Sequence, residues 1–406
     1  DGMNARFLVW LSHPREMWER RHSIIEVMRN KKMLPLQMFV RWRDVFRLFN
    51  PLYLLKLWRV ASAIRQQKKF EFVGLDVSSL IGDELINSIT SREWLNNCLL
   101  TSAMDEFACR VPEATLVYRD EFQPLESALL FGVNRRWRTI GFYHPPFVIN
   151  HLAYTFATGE MTSWINRGDW HLDRPLPDRI IAVADVMREH LVAQGFPEDR
   201  IVLCGPQRQG ELASYLHSRL LRTEMRMRLG LPDDTTIIFV AAGSVDAENE
   251  VLFAALADAC EGLGAFRLII KPHPAKARGD ESIQLALHVL GDSAMMIPPN
   301  GKLYDYLSAA DATVCIPSTI VFEAMTLGVM PIAYESATVY ATNSLANYEA
   351  AIFVARDVEA LRAALQDVVA NGEQSQDKRH KWEETIRRVL GDLQTPLAIQ
   401  LARALV

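Results

Sequence analysis

Apolar runs that end in polar residues, each followed by a helix-like segment, dominate the stretch 267–334. The run RLIIKPHP leads to His273, and a second apolar run ends at Ser318 and Thr319, ahead of a segment that carries Glu323. Strand, polar tip, helix, glycine and strand is the order typical of parallel α/β units. This order constrains the chain more than any other feature. It predicts a parallel sheet with its polar loops at the carboxyl ends of the strands.

The same alternation occurs in both halves of the chain and predicts two Rossmann-like α/β domains. The length of 406 residues fits two domains. The polar stretch 207–231 is the expected boundary between them. The predicted ranges are 1–210 for the first domain, 232–380 for the second, and 381–406 for a terminal helix that crosses back.

Composition excludes several classes of protein. The net charge of -5 gives no overall attraction for nucleic acid. The five cysteines are scattered and show no CxxC spacing, so neither a zinc site nor a disulfide framework is expected, and a reducing cytoplasmic setting fits. No apolar run approaches the ~20 residues of a membrane span. The start, DGMN, is typical of a leftover tag or of a cut from a longer chain.

The segment 33–69 is strongly basic although the protein is acidic overall. It contains eight basic residues and a single acid, Asp44, and aromatic residues such as Trp42 and Phe46 lie between the charges. Asn50-Pro51 predicts a break between two amphipathic helices. Two interpretations stand at this point. The segment is a surface for anionic lipid or for a lipid-linked, phosphate-bearing acceptor, or it is a helix pair with core aromatics and solvated arginines.

The loop AAGSVDAENE, residues 241–250, leaves one predicted strand and enters a helix. A small residue such as Gly243 lets a ligand approach the backbone, and helix N-terminal amides favour anions. Ser244 is a candidate donor to a phosphate. A plain helix N-cap is the competing role for Ser244.

Two further loops predict phosphate contacts. In KPHP, Lys271 brings a positive charge and His273 a hydrogen-bond donor, while Pro274 stiffens the loop. The hydroxyls of Ser318 and Thr319 could cradle a phosphate. Glu323, about one helical turn further, could accept the two hydroxyls of a ribose. The competing roles are a structural histidine, an N-cap and a surface acid.

The first half offers carboxylates near strand tips. Asp120, Glu121, Glu126 and His144 are expected at the same sheet edge, where a transferase needs a base for an acceptor hydroxyl or a nucleophile. Glu121 is the first choice and Glu126 the second, with His144 nearby. Surface acids in a turn are the competing interpretation. His13 and His151 are weaker candidates.

Some well-known motifs are missing from the sequence. No HExxH-like cluster occurs, so no metal is expected. GxSxG, GxxxxGK[ST] and GxGxxG are likewise missing, which counts against hydrolases, P-loop proteins and dinucleotide-binding proteins.

These residues resemble a family. KPHP followed by a Ser/Thr pair is similar to the motifs of GT-B glycosyltransferases that use CMP-activated sialic acid or Kdo. AAGS-x3-E-x-E is similar to the loop that opens the donor domain of Kdo transferases. FEAMTLGVMPI resembles the Glu-x4-Gly-x-Pro segment of many GT-B enzymes, although two residues rather than one separate Gly328 from Pro331. The stretch 118–145 resembles bacterial surface-carbohydrate proteins. The resemblance covers most of 116–335 and none of 1–110.

The resemblance implies a GT-B fold, two Rossmann-like parallel-sheet domains facing a cleft, with an acceptor-side first domain and a donor-binding second domain. His273, Ser318 and Thr319 would contact the CMP phosphate, Ser244 would line that pocket, and Glu323 would bind the ribose. The implied reaction is transfer of Kdo or a sialic-acid-like sugar to a glycan, or to a lipid-linked glycan, in bacterial surface polysaccharide synthesis, without metal or cofactor.

Other functions remain open at this stage. A UDP- or CDP-dependent transferase, including a polyol-phosphate transferase, and a sugar-nucleotide epimerase share the fold. A non-catalytic sugar-nucleotide or glycan-binding scaffold belongs to a different class. The expected location is the cytoplasm, with peripheral contact to an anionic membrane through 33–69.

Overall fold

The structure is a computed structural model. It describes residues 7–9, 21–30, 33–66, 71–72, 75–134, 136–143, 175–206, 210–215, 219–231, 234–273, 281–298, 301–336, 345–371 and 379–405. Two predicted site residues, His144 and Pro274, lie outside these ranges, as do His13 and His151.

The chain divides into two compact units when residues are grouped by their mutual contacts. The first unit comprises residues 1–141 and 159–179, and the second comprises 142–158 and 180–406. This division does not test the predicted domain ranges, which remain predictions: 1–210, 232–380 and 381–406.

The second unit contains a six-stranded sheet whose central strands are buried on both faces. Its strands are β9 (Thr236–Ala241), β10 (Phe266–Lys271), β11 (Ala294–Met296), β12 (Ala312–Cys315), β13 (Met330–Tyr334) and β14 (Phe353–Ala355). Their order is β11-β10-β9-β12-β13-β14, and all five pairings are parallel. Continuous apolar runs such as IIFV in β9 suit strands that are covered by helices on both faces.

The remaining elements of the second unit are helices and two short strands. The strands β7 (Arg179–Ala182) and β8 (Ile201–Leu203) pair in parallel. The described helices are α7 (Asp185–Ala193), α8 (Arg219–Leu229), α9 (Asp246–Cys260), α10 (Glu281–Leu290), α11 (Leu303–Ser308), α12 (Ile320–Thr326), α13 (Val358–Asn371), α14 (Trp382–Leu390) and α15 (Leu397–Leu405).

The first unit is mainly helical around a smaller core. Its described strands are β1 (Phe7–Val9), β2 (Met33–Pro35), β3 (Glu71–Phe72), β4 (Leu75–Asp76), β5 (Thr115–Arg119) and β6 (Arg138–Phe142), the last ending one residue beyond the unit. Strands β5 and β6 are neighbours in one sheet. The described helices are α1 (Arg21–Asn30), α2 (Trp42–Leu48), α3 (Pro51–Gln66), α4 (Ser78–Thr90), α5 (Arg92–Arg110) and α6 (Pro124–Val133).

The basic segment forms the two helices that its sequence predicts, with the break at Asn50-Pro51 between α2 and α3. The interpretation that places its aromatics in the core is wrong for most of them. Trp42 is 79% exposed and Phe46 is 70% exposed. Tyr53 points the other way and stacks on Trp94 of α5, with ring centroids 5.9 Å apart. Among the described residues, no helix is both long and apolar enough to span a bilayer.

A buried ion pair joins α8 to the large sheet. The side chain of Arg226 is buried, and its Nη2 lies 2.6 Å from Asp311 Oδ2 while its Nε donates to the carbonyl of Ala309 at 2.9 Å. Asp311 Oδ2 also accepts the Ile237 backbone N–H at 2.8 Å. The carboxylate therefore links a helix to the first residues of β9, at the end of the sheet opposite the polar tips.

Asp311→Ala should strongly destabilise the second unit. Removing one partner of a buried ion pair leaves the other charge buried and uncompensated, which costs about 3–5 kcal/mol. Urea unfolding measures this change. Lys381→Ala is the matched control, because Lys381 forms an exposed pair with Glu384 at 3.4 Å and such pairs add little. Equal losses in the two variants would contradict the proposed importance of the buried pair.

Candidate functional site

The carboxyl ends of three neighbouring strands lie in one row. Lys271 of β10 is beside Ala241 of β9, and Ala241 is beside Cys315 of β12. From β9 the chain proceeds to β10 on one side, whereas β12 lies on the other side, so the strand order reverses at this point. Ligands of open parallel sheets bind at the carboxyl ends of the strands where the order reverses. The three predicted loops follow these three strands.

The loop after β9 is held in place by a buried asparagine. The side chain of Asn249 is fully buried, accepts the Gly243 N–H at 2.7 Å and donates to the Gly243 carbonyl at 3.1 Å. A Cβ on residue 243 would lie 2.2 Å from Ile316 Cδ1, so the loops after β9 and β12 touch there. Asn249 was not among the predicted site residues. An asparagine six positions after the loop glycine was the only sign of it.

Lys271 and Glu323 form the charged part of the site. Lys271 is half-buried at the end of β10, and Glu323 on α12 is only 6% exposed. Burial lowers the pKa of Lys271, and the negative charge of Glu323 acts in the opposite direction. The competing role of Glu323 as a surface acid is therefore wrong. A buried carboxylate next to a half-buried ammonium is typical of groups that bind a polar ligand or stabilise one another.

The predicted hydroxyl and imidazole groups lie in the same loops. Ser318, Thr319 and His273 are half-buried, and Ser244 is exposed. Helix α9 begins at Asp246 with Val245 at its N-cap position, so the competing N-cap role of Ser244 is wrong. Thr319 occupies the N-cap position of α12, yet its side chain makes no capping hydrogen bond. The Thr319 hydroxyl thus does not cap α12.

The acidic side chains that follow β5 lie in different environments. Asp120 is buried and accepts from the Tyr118 hydroxyl and from the Phe122 N–H, each at 3.0 Å. Phe122 adopts the left-handed backbone conformation with φ 54°. A Cβ at Gly141 would lie 2.6 Å from Asp120 Oδ2, so only glycine fits beside this carboxylate. Asp120 is therefore occupied in shaping the turn, and it is not a surface acid.

Glu126 and Glu121 differ in burial and in partners. Glu126 is buried in the first turn of α6 and accepts the Gln123 N–H at 2.9 Å as half of a capping box. Burial raises the pKa of Glu126, and the charges of Asp120 and Glu121 add to the rise. Glu121 is half-buried and pairs with the exposed Arg119 at 2.6 Å. Glu126 thus stabilises the helix start, whereas Glu121 lies nearer to solvent.

No group of three or more histidine, cysteine, aspartate or glutamate side chains within the described ranges is placed to hold a metal ion. None of the five cysteines forms a disulfide, and burial raises the pKa of Cys260 to about 12. A reaction without metal or cofactor stays an expectation from the resemblance.

The fold is that of GT-B proteins, with two Rossmann-like parallel-sheet domains. No family model matches the sequence, and no curated protein matches it. Solved structures do match. The chain is similar to UDP-GlcNAc 2-epimerase from Neisseria meningitidis bound to UDP-GlcNAc, with a TM-score of 0.52 and 10% identity over 99% of this chain and 100% of that chain.

Two other solved structures are similar. A glycosyltransferase from Rickettsia africae has a TM-score of 0.51 and 12% identity, covering 82% of this chain and 88% of its own. Anabaena HepE in complex with UDP has a TM-score of 0.50 and 11% identity, covering 75% of this chain and 81% of its own. At these identities the likeness shows the fold, and the reaction must be argued from the residues.

Asn249→Ala should loosen the loop after β9. The Gly243 N–H and carbonyl would lose their partners in a buried place, which costs about 2 kcal/mol. We expect lower stability in urea and faster hydrogen exchange in the peptide that spans 241–250. Asn347→Ala, at an exposed asparagine of the same unit, is the control. Unchanged exchange in Asn249→Ala would show that the loop does not depend on Asn249.

Proposed function

We propose that the protein is a glycosyltransferase that moves a sugar from a nucleotide donor to a glycan acceptor. The donor of first choice is a CMP-linked acidic sugar of the Kdo or sialic-acid type, used in bacterial surface polysaccharide synthesis. The observation that carries the proposal is the meeting of three loops at the point where the strand order of the large sheet reverses. The proposed location of the protein is the cytoplasm, at the inner face of the membrane.

The donor half of the reaction uses the groups at this edge. His273 and Lys271 would neutralise the phosphate that leaves the sugar, and Ser318 and Thr319 would donate hydrogen bonds to it. Ordered donors of this kind stabilise charge that develops on a leaving group. Glu323 would accept the ribose hydroxyls. The position of Glu323 in the first turn of α12, directly after Ser318 and Thr319, supports this role.

The acceptor half needs a carboxylate. Glu121 would remove the proton from an acceptor hydroxyl while the acceptor oxygen attacks the anomeric carbon. The bond between that carbon and the phosphate oxygen breaks, and the nucleotide leaves with the electron pair. Glu121 is preferred to Glu126 because the Glu126 carboxylate already accepts the Gln123 N–H as part of the helix cap. His144 remains a candidate neighbour that lies outside the described residues.

UDP- and CDP-dependent transferases, including polyol-phosphate transferases, are the second candidate. Two similar structures contain UDP-GlcNAc or UDP, which supports a pyrimidine nucleotide as ligand and leaves its phosphate count open. An epimerase acting on a sugar nucleotide is the third candidate, because the structural match to one covers the whole chain. A scaffold that binds a sugar nucleotide or glycan without turnover is the candidate from another class.

Thermal-shift measurements with CMP, CDP, UDP and GDP should separate these candidates. We expect CMP to raise the melting temperature most. Lys271→Met should abolish the shift because it removes the charge nearest the expected phosphate. Lys302→Met is the control, since Lys302 is an exposed lysine of the same unit. Selective stabilisation by UDP would overturn the CMP donor, and no response to any nucleotide would favour the scaffold.

Glu121→Gln should lower kcat by about 10²–10⁴-fold, the usual contribution of a general base. Nucleotide binding should be unchanged, because the proposed nucleotide contacts come from other residues, Lys271, His273, Ser318, Thr319 and Glu323. Glu126→Ala should mainly lower stability, since it removes the oxygen that accepts the Gln123 N–H in the capping box. Turnover at the wild-type rate in Glu121→Gln would remove Glu121 from the mechanism.

A further inference from the structure

Helices α2 and α3 expose apolar and basic side chains over one continuous stretch of chain. We call this surface the basic aromatic face. It consists of Trp42, Arg43, Phe46, Arg47, Phe49, Leu52, Leu54, Leu55, Lys56, Trp58, Arg59 and Arg65, all exposed. Soluble monomers rarely expose so many large apolar residues together, and such patches mark interaction sites.

The helical repeat places residues of this face on the same side of α3. Leu52, Leu55 and Arg59 recur at intervals of three and four residues on α3, which keeps them on one side of the helix. The opposite side is used for packing, since Tyr53 stacks on Trp94 and burial raises the pKa of its hydroxyl. The apolar residues of the face are therefore additional to those that hold α3 on the first unit.

The basic aromatic face is positively charged. The acid of the segment, Asp44, is buried, and Arg41 Nε binds it at 2.8 Å. Arg41 Nη1 also binds Glu106 of α5 at 2.5 Å. The two ion pairs of Arg41 thus attach the start of α2 to α5. The remaining described bases, Arg43, Arg47, Lys56, Arg59 and Arg65, are exposed. Asp44, whose Oδ1 lies 3.9 Å from Arg43 Nε, is the one acid of the segment, so the face keeps a positive charge.

We propose that the basic aromatic face binds the surface of an anionic lipid bilayer. Trp42, Phe46 and Trp58 lie among the acyl chains near the headgroups, and the arginines contact the lipid phosphates. This inference extends the peripheral membrane location given in the proposed function, and it rests on that part of the proposed function alone. It names the surface of the first unit that meets the membrane and the lipid charge that this surface requires.

Charge and shape distinguish the bilayer from other occupants. A second copy of the face would bring bases against bases, which is unfavourable for a self-complementary contact. Single-stranded nucleic acid binds aromatic rings by stacking, and aliphatic side chains such as Leu52, which is 70% exposed, have no ring to offer. A bilayer accepts both rings and aliphatic chains and supplies the negative charge.

Vesicle co-sedimentation at low salt tests the proposal with the whole protein. We expect binding to phosphatidylglycerol-containing vesicles, weak binding to phosphatidylcholine alone, and loss of binding at high salt. Replacing Arg43, Arg47 and Arg59 by Gln should lower the partition coefficient about 100-fold, because each base near an anionic surface contributes several-fold. Replacing Trp42, Phe46 and Trp58 by Ser should lower it at least about tenfold.

Met227→Ser combined with Val289→Ser is the control, because both residues are exposed and apolar but lie on α8 and α10 of the second unit. This pair should bind vesicles as the wild type does. Binding that is equal for neutral and anionic vesicles, or unchanged in the face variants, would overturn the proposal. The proposal would also be overturned if the protein formed a dimer that the aromatic variant abolishes. The same holds for a complex with a single-stranded oligonucleotide that is tighter than vesicle binding and that the aromatic variant abolishes.

Thermal shift with nucleotides, measured on the same preparations, separates this proposal from the donor chemistry. Failure to bind vesicles with an intact nucleotide shift would refute only the basic aromatic face. Vesicle binding by a protein that responds to no nucleotide would refute only the donor part of the proposed function.

Discussion

The register of β9 with β10 and β12 is the constraint on which the candidate site depends. Ile269, Phe239 and Val314 in these strands are fully buried, and side chains alternate between the two faces of a sheet. A slip by one residue would turn every side chain of a strand to the other face and break these packing contacts. The apolar core therefore fixes the register, and the register places Lys271 beside the Gly243 loop.

The strands of the large sheet were predictable because each is a continuous apolar run. Strands β9, β12 and β13 have the sequences TIIFVA, ATVC and MPIAY, which are mostly apolar. Strand β14 was not foreseen, because it has only three residues, of which two are half-buried, so its pattern is weak. Apolar periodicity does not mark the start of α9 at Asp246, because three of the four residues in its first turn are polar.

Side-chain roles were harder to predict than positions. The sequence placed Asp120, Glu121 and Glu126 near one strand tip, but hydrogen bonds to backbone N–H groups assign Asp120 to a turn and Glu126 to a helix cap. Such bonds depend on backbone angles that residue types do not specify. The basic segment posed a similar problem. Its periodicity predicts amphipathic helices, yet α3 presents apolar residues both to α5 and to solvent, which only the packing of Tyr53 on Trp94 resolves.

The ring of hydrogen bonds between Asn249 and Gly243 has a consequence for the thermodynamics of ligand binding. A loop that becomes ordered only when a ligand arrives subtracts its lost conformational entropy from the affinity. Here the two bonds fix the backbone of Gly243 during folding, so that entropy is already lost in the free protein. A ligand that binds to this loop would therefore not have to supply the free energy of ordering it.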